Sequence, residues 1–156
     1  MSIKADSRYL VSKQYKTDIR VLPVQTLYPL KPKPLSASVE VGTGGSAGSP
    51  TTLTPTSPYK YLLLLAMRIT AGGTFATGET VTVDVTITYS DGTTTTISKS
   101  FTATGSEDLS PSDLASLSEK LITSISVTAS SDQTSTSVTI DVDIYAFEYT
   151  GIEVIA

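Results

Sequence analysis

Asp141 and Asp143 are the two carboxylates most favourably spaced for joint chemistry. They alternate with Val142, so a β-strand would carry both on the same side, where paired carboxylates can bind Ca²⁺ or share acid–base work. Calcium takes about six or more oxygen ligands, and the surrounding sequence does not supply the remainder. Because charged residues are mostly exposed, we interpret the pair as solvated positions on the outer side of a strand and predict no metal site.

Two short motifs share their spacing with enzyme signatures. Residues 42–47 have the glycine spacing of a dinucleotide-binding loop, but such a loop must open directly into a helix, which the Ser-Pro-Thr sequence at 49–51 cannot do. Ser57 and Lys60 have the serine–lysine spacing of penicillin-binding enzymes, which place both residues on one helical turn. Here the motif continues into a strand pattern, so we predict neither a cofactor nor catalytic residues.

The residue types missing from the chain exclude most enzyme classes. Its 156 residues include no Cys and no His, which removes thiol nucleophiles, zinc–thiolate sites, the Ser-His-Asp triad and the commonest general base. Asn is also absent and Met occurs only 2 times, a composition compatible with selection against heat-labile residues in a thermophile. We predict a protein that is not an enzyme and has no small-molecule substrate.

The charge of the chain changes sign near residue 34. Residues 1–34 carry a net charge of +5 and residues 35–156 a net charge of −9, which indicates a basic arm attached to an acidic body. Pro29, Pro32 and Pro34 favour an extended spacer between the two. The arm could contact an anionic surface (membrane or nucleic acid) or the acidic body of a neighbouring copy. Alternatively, it folds back on its own body.

The body, residues 35–156, is predicted to be a single all-β domain. Apolar residues occupy every second position in several segments, which is the pattern of half-buried strands. This favours an antiparallel β-sandwich, jelly-roll or immunoglobulin-like, with one short helix and an extended N-terminal arm. Residues 42–58 carry no charge and are predicted to be a long flexible loop. The clearest predicted strands are 35–41, 59–70, 79–89, 94–104, 122–129 and 136–149.

The turn at residues 90–93 is predicted to join two of these strands as a hairpin. A two-residue loop would place the apolar rows of the two strands on opposite faces, whereas a three-residue loop with a left-handed Gly92 places them on one face. Lys99 then lies on the inward row, and inward charges protect edge strands from aggregation, so we predict an edge strand at 94–104. This register pairs Val85 with Ile97, Val81 with Phe101 and Val83 with Lys99.

A short helix is predicted after residue 110. Ser110 is a favourable N-cap, Pro111 suits the first turn, and Asp113 interacts favourably with the helix dipole. Leu114, Leu117 and Leu121 would lie on one face, which predicts about three turns.

Two segments carry more apolar surface than a two-layered sandwich buries. Residues 59–70 are apolar on both faces at their centre, so this strand should be covered on its outer side by the helix, the arm or another subunit. The outward row of the last strand ends in Tyr145, Phe147 and Tyr149. Such a row indicates either a β-bulge that changes which residues face inward or a contact surface.

These features favour a structural subunit of a larger assembly, of the capsid, vertex or turret type that builds a virion, over a cell-surface adhesin or carbohydrate-binding module. We expect contacts with copies of itself and with other structural subunits. We also expect a location in the virion or the host cytoplasm, because the sequence shows no cleaved signal peptide and no transmembrane segment. The residues predicted to make these contacts are Arg8, Lys13, Lys16, Arg20, Val21, Val24, Leu27, Tyr28, Leu62, Leu64, Tyr145, Phe147 and Tyr149.

Overall fold

The computed structural model describes residues 33–56, 60–117 and 120–150. These fold into β-strands and one short α-helix, which confirms the all-β class that the alternating sequence predicts. The strands are β1 (Lys33–Val39), β2 (Val41–Gly42), β3 (Thr51–Leu53), β4 (Lys60–Thr74), β5 (Val81–Tyr89), β6 (Thr94–Phe101), β7 (Gly105–Asp108), β8 (Ile122–Ser131) and β9 (Ser137–Thr150), and helix α1 is Pro111–Leu117.

The strands form two layers of a sandwich, antiparallel except for the short β2. The strands of the described residues are joined by hydrogen bonds into one open sheet of order β1-β9-β4-β8-β5-β6, with β7 also on β4 and with β2 and β3 on β8. We call β1-β9-β4-β7 sheet I and β3-β8-β5-β6 sheet II. The sheets are hydrogen-bonded to each other at one corner, where Leu62 of β4 pairs with Ile122 of β8.

The strand order distinguishes between the two topologies that the sequence left open. In an immunoglobulin-like sandwich the last two strands are neighbours in one sheet. Here β8 lies in sheet II, while β9 lies in sheet I between β1 and β4. Antiparallel pairing of β1, the first described strand, with β9, the last, and of β3 with β8 is the arrangement of a jelly roll. The pairing therefore favours the jelly roll.

The core lies between the sheets and consists of the inward rows that the alternation predicted. On β5, burial alternates without interruption from Val81 to Tyr89. The facing row of β9, from Val138 to Ala146, is likewise buried at every second residue. Burial of a Val, Ile or Leu side chain contributes about 1.5–3 kcal/mol, so these rows are the main source of the sandwich's stability.

The hairpin register predicted from parity is confirmed. Val85 pairs with Ile97, and Gly92 has a φ of 80°. The loop is closed by the amide of Tyr89, which donates to the carbonyl oxygen of Thr93 at 2.9 Å. β6 is an edge strand of sheet II, as predicted. The inward Lys99 places its Nζ atom 3.7 Å from a carboxylate oxygen of Glu107 on β7, so the charge links the edge strands of the two sheets.

Helix α1 begins as the sequence predicts but is shorter. The Ser110 hydroxyl accepts from the amide of Asp113, and the Asp113 carboxylate accepts from the amide of Ser110, each at 3.2 Å. Leu117 is fully buried, and Leu114 packs against the core. The expectation that Leu121 continues this face was wrong, because Lys120 is already non-helical and Leu121 is 37 % exposed.

The prediction of one continuous loop over residues 42–58 was also wrong. β3 interrupts it by pairing with β8 between Thr51 and Leu53, a strand too short to produce a visible alternation in the sequence. The glycine-rich part is held against β8 as well: the amide of Gly48 donates to the carbonyl oxygen of Ala129 at 2.9 Å. An added Cβ at Gly42 would lie 2.1 Å from the Ser46 carbonyl oxygen, so this turn requires glycine.

Candidate functional site

Tyr145 identifies the candidate site, because its large ring lies on the outer face of sheet I. The alternation of β9 continues through this region, with Ile144 and Ala146 buried and Tyr145 50 % exposed between them. No β-bulge in β9 turns the ring towards the core. Of the two explanations for the aromatic row, the structure therefore supports an outward-facing surface at Tyr145.

The β-bulge lies instead in β4, the strand beside β9. The pairing of β4 with β9 shifts by one residue between Leu64 and Ala66, where Ala66 becomes the partner of Tyr145. Leu65 is the extra residue, and it lies outward like Ala66. A bulge of this kind changes which residues of a strand face inward. The apolar residues of β4 are therefore buried as Leu62 and Leu64 before the bulge and as Met67 and Ile69 after it.

This bulge corrects the prediction that Leu62 and Leu64 make external contacts. Each is only 3 % exposed and lies in the core. The outward leucines are Leu63 and Leu65, which are 36 % and 39 % exposed. Both remain exposed with helix α1 in place, and the Leu117 side chain of that helix packs into the core. The strand is apolar on both faces, as the sequence showed, but the assignment of its faces was reversed.

The outward side chains form a continuous apolar surface, which we call the apolar patch. In the sheet register, Pro34 is opposite Tyr145, and Leu63 is opposite Phe147. Phe147 is half-buried, and Pro34 and Ala66 are exposed. The backbone of Tyr149 pairs with Tyr61, but its side chain lies outside the described part of the structure. The apolar patch consists of Pro34, Leu63, Leu65, Ala66, Tyr145 and Phe147.

The other half of the same face is polar and rich in carboxylates. Asp141 accepts a hydrogen bond of 2.5 Å from Ser38, and Asp143 accepts one of 2.6 Å from Ser36. Both aspartates lie on the outer side of β9, where the sequence predicted them. Among the described residues, no group of three or more acidic, His or Cys side chains could hold a metal ion. The two carboxylates accept hydrogen bonds that fasten β1 to β9.

Arg68 forms the boundary between the two halves. Its Nε and one terminal nitrogen donate to the two carboxylate oxygens of Asp108 at 2.7 Å and 2.9 Å. This bidentate pair lowers the pKa of Asp108 and raises the pKa of Arg68, chiefly through the hydrogen bonds and then through charge attraction. Asp143 is the residue opposite Arg68 in the register and adds further attraction. The sequence did not predict that Arg68, Asp108 and Asp143 are neighbours, because the strand that carries Asp108, β7, was not predicted.

An open groove of about 370 Å³ lies between this ion pair and the aromatic ring. Arg68, Asp108 and Asp143 supply its polar wall, while Tyr145 and Leu109 supply apolar surface. A half-exposed ring beside charged hydrogen-bonding groups can both pack against a partner and orient it.

The outer face of sheet II is chemically different and serves as an internal comparison. Hydroxyl side chains pair across its strands, for example Thr86 with Thr96 at 2.9 Å. Ser98 donates to Asp84, the acidic side chain in the outward row of β5. The outward positions of β5, β6 and β8 are Thr82, Asp84, Thr86, Thr88, Thr94, Thr96, Ser98, Ser100, Ser124, Ser126, Thr128 and Ser130. The large exposed apolar residues of these two outer faces are therefore concentrated on sheet I.

A buried carboxylate that the sequence analysis overlooked fastens the far end of the sandwich. Glu79 is 1 % exposed and accepts hydrogen bonds of 2.6 Å from both Ser131 and Thr136, together with one of 2.7 Å from the amide of Ala76. These hydrogen bonds, the Ser131 hydroxyl first, lower the pKa of Glu79. The contacts tie the β4–β5 turn to the β8–β9 turn. The role of the Glu79 carboxylate is structural, because the groups that donate to it belong to the two turns that it joins.

The predicted arm residues lie outside the part of the chain that the structure describes, and the motif of Ser57 and Lys60 lies partly outside it. Lys60 begins β4, while Ser57 is not described, so the structure does not test their spacing. Among the described residues, no helix is long and apolar enough to cross a membrane. The arm residues in question are Arg8, Lys13, Lys16, Arg20, Val21, Val24, Leu27 and Tyr28.

Comparison with known proteins gives no family to which the chain could be assigned. No protein-family model matches the sequence, and no curated protein matches it significantly.

Proposed function

We propose that this protein is a structural subunit of a larger assembly, and that the assembly is a virion in which it serves as a capsid, vertex or turret protein. The observation that carries the proposal is the apolar patch, in which Leu63, Leu65 and Tyr145 remain 36–50 % exposed on one sheet face. Contiguous exposed apolar surface with a polar border is typical of interaction sites. The polar border here is the row formed by Asp141, Asp143 and Arg68.

The energetics favour a protein partner. Completing the burial of a half-exposed leucine or tyrosine contributes on the order of 1 kcal/mol each, because full burial contributes about 1.5–3 kcal/mol. Aromatic residues at the centre of an interface often contribute more than this average. Tyr145 is suited to such a position, since its neighbours across the register, Pro34 and Ala66, are small.

The jelly-roll sandwich suits this role, because the outer faces of its two sheets can differ in chemical character. The hydroxyl-covered face of sheet II presents no large apolar side chain among the outward residues of β5, β6 and β8. Sheet I presents the apolar patch. In our proposal, sheet I faces neighbouring subunits and sheet II faces solvent, and the protein has no catalytic role because His and Cys are absent from its sequence.

The native mass of the full chain tests the proposal directly. Sedimentation velocity and light scattering over a range of concentrations should give a ring, shell or other defined oligomer of the 16.4 kDa chain. A monomer at every concentration would contradict the proposal.

A second candidate function is carbohydrate binding in the groove beside Tyr145. The specific observation in its favour is that an exposed ring lies next to Arg68, Asp108 and Asp143, which could hydrogen-bond to sugar hydroxyls. Calorimetric titration of oligosaccharides would test it: saturable binding that Tyr145→Ala abolishes and Thr96→Ala retains would favour this function. Absence of binding across a broad glycan panel would leave the assembly role as the better proposal.

A further inference from the structure

We infer that the apolar patch is covered by residues 18–30 of a second copy of this chain. This inference rests on the proposed assembly function and names the partner of the same surface. Four features support it: the point at which the chain enters the sandwich, the composition of residues 18–30, the distribution of charge, and the stiffness that prolines give to the sequence before β1.

The chain enters the sandwich beside the apolar patch. β1 begins at Lys33, opposite Ala146, and Pro34 is itself part of the patch opposite Tyr145. β9 ends at Thr150, opposite Lys60 at the start of β4. The 32 residues that precede Lys33 are therefore attached at the edge of the patch.

The preceding segment has the composition of a partner for such a surface. Residues 18–30, DIRVLPVQTLYPL, place apolar side chains at Val21, Val24, Leu27 and Tyr28. Burying such side chains against another apolar surface is favourable.

The charges of the arm and of the surface around the patch are complementary. Residues 1–34 carry +5 and residues 35–156 carry −9. Asp143 and Asp141 lie on the same sheet face as the patch, and Asp108 lies across the groove. Arg20 is near the start of the apolar segment and can meet these carboxylates. Opposite charges at the border of an interface favour the correct partner and accelerate its association.

The spacer favours a second copy over the same chain. Pro29 and Pro32, which precede β1 in the sequence, favour stiff, extended polyproline geometry. A stiff segment folds back on its own chain less readily than a flexible one, so the sequence favours exchange of residues 18–30 between copies.

Disulfide cross-linking between two single-cysteine variants tests this inference, and the natural chain provides a clean background because it has no Cys. One full-length variant carries Thr26→Cys within the arm, and the other carries Ala66→Cys within the patch. They are mixed, allowed to assemble and oxidised. A disulfide between two different variants is necessarily a contact between two molecules. The control mixture pairs Thr26→Cys with Thr96→Cys on the outer face of sheet II, and a Leu65→Cys variant provides a second position in the patch.

The expected result is a covalent dimer in the assembled fraction of the Thr26→Cys and Ala66→Cys mixture, at several times the yield of the Thr96→Cys control. Equal yields in both mixtures would overturn the inference. So would normal assembly without a cross-link at either patch position. A third variant that carries both Thr26→Cys and Ala66→Cys would overturn it as well if its disulfide formed only within one chain. In these cases the assembly function would stand. If light scattering shows no assembly of the unmodified chain, the proposed function itself fails.

Discussion

Ala66 of β4 is the register partner of Tyr145 of β9, and it occupies this position because the pairing shifts by one residue after Leu64. Without the extra residue, the odd-numbered residues before the bulge would face the core, and the even-numbered ones would face outward. With it, Leu62 and Leu64 join the core, while Leu63, Leu65 and Ala66 lie on the outer face beside Tyr145. The local irregularity of β4 thus sets the composition of the apolar patch.

A matched pair of leucine substitutions tests this assignment of faces. Leu64→Ala removes a buried side chain and leaves a cavity, so it should lower the free energy of unfolding by about 2–4 kcal/mol. Leu65→Ala removes a partly exposed side chain and should lower it by less than about 1 kcal/mol. Urea unfolding of both variants measures the difference. Equal losses, or a larger loss for Leu65→Ala, would show that the bulge has been placed wrongly.

A matched pair of glycine substitutions tests the hairpin turn. Gly92 has a φ of 80° and open space around the position of a Cβ atom. Gly92→Ala should therefore cost about 1–2 kcal/mol of stability through backbone conformation alone, since a Cβ atom disfavours the left-handed region. Gly105→Ala is the control, because its surroundings are equally open and its φ lies outside the left-handed range. Similar stabilities of the two variants in thermal melts would contradict the three-residue turn.

The buried carboxylate of Glu79 should make part of the stability depend on pH. Its pKa in the folded chain is lowered from the ordinary value of 4.5, because hydroxyl and amide groups donate to the charged form. The unfolded chain therefore binds the proton more readily, so the stabilisation is complete above the ordinary value and is lost as the pH falls through the lowered pKa.

Glu79→Gln provides the measurement for this pH dependence. Urea midpoints between about pH 6 and pH 3 should fall less steeply with pH in the variant than in the natural chain. A residual slope will remain, because the pKa values of Asp91, Asp108 and Asp113 are lowered as well. Identical slopes in the two proteins would contradict a structural role for the Glu79 carboxylate.

Features encoded by local patterning could be predicted from the sequence. Alternation identified the long strands, and its parity determined the hairpin register that pairs Val85 with Ile97. The Ser110 cap determined the start of the helix. In each case the residues that determine the structure lie close together in the chain. Rules for local structure, such as strand alternation, turn geometry and helix capping, are therefore sufficient to predict it.

Features that depend on distant partners could not be predicted in this way. The bulge at Leu65 is invisible in β4 alone, because every residue from Tyr61 to Met67 is apolar and either face could be the inner one. The ion pair of Arg68 with Asp108 joins residues of β4 and the short β7. Glu79 is an acidic residue in a turn, and such residues are ordinarily exposed. Its burial depends on hydrogen bonds from Ser131 and Thr136, which are more than 50 residues away in the chain.

A double variant of the full chain, Leu65→Ser with Tyr145→Ser, tests most directly whether the apolar patch is an assembly surface. The control is a second double variant, Thr94→Ala with Thr96→Ala, on the outer face of sheet II. Both substituted patch residues are at least 39 % exposed, so the thermal melt should change little. Light scattering should show that association is weakened by about 2–4 kcal/mol, the scale of interface anchors, while the sheet II variant assembles normally. Unchanged assembly of the patch variant, or its unfolding without an assembly defect, would contradict the proposed role.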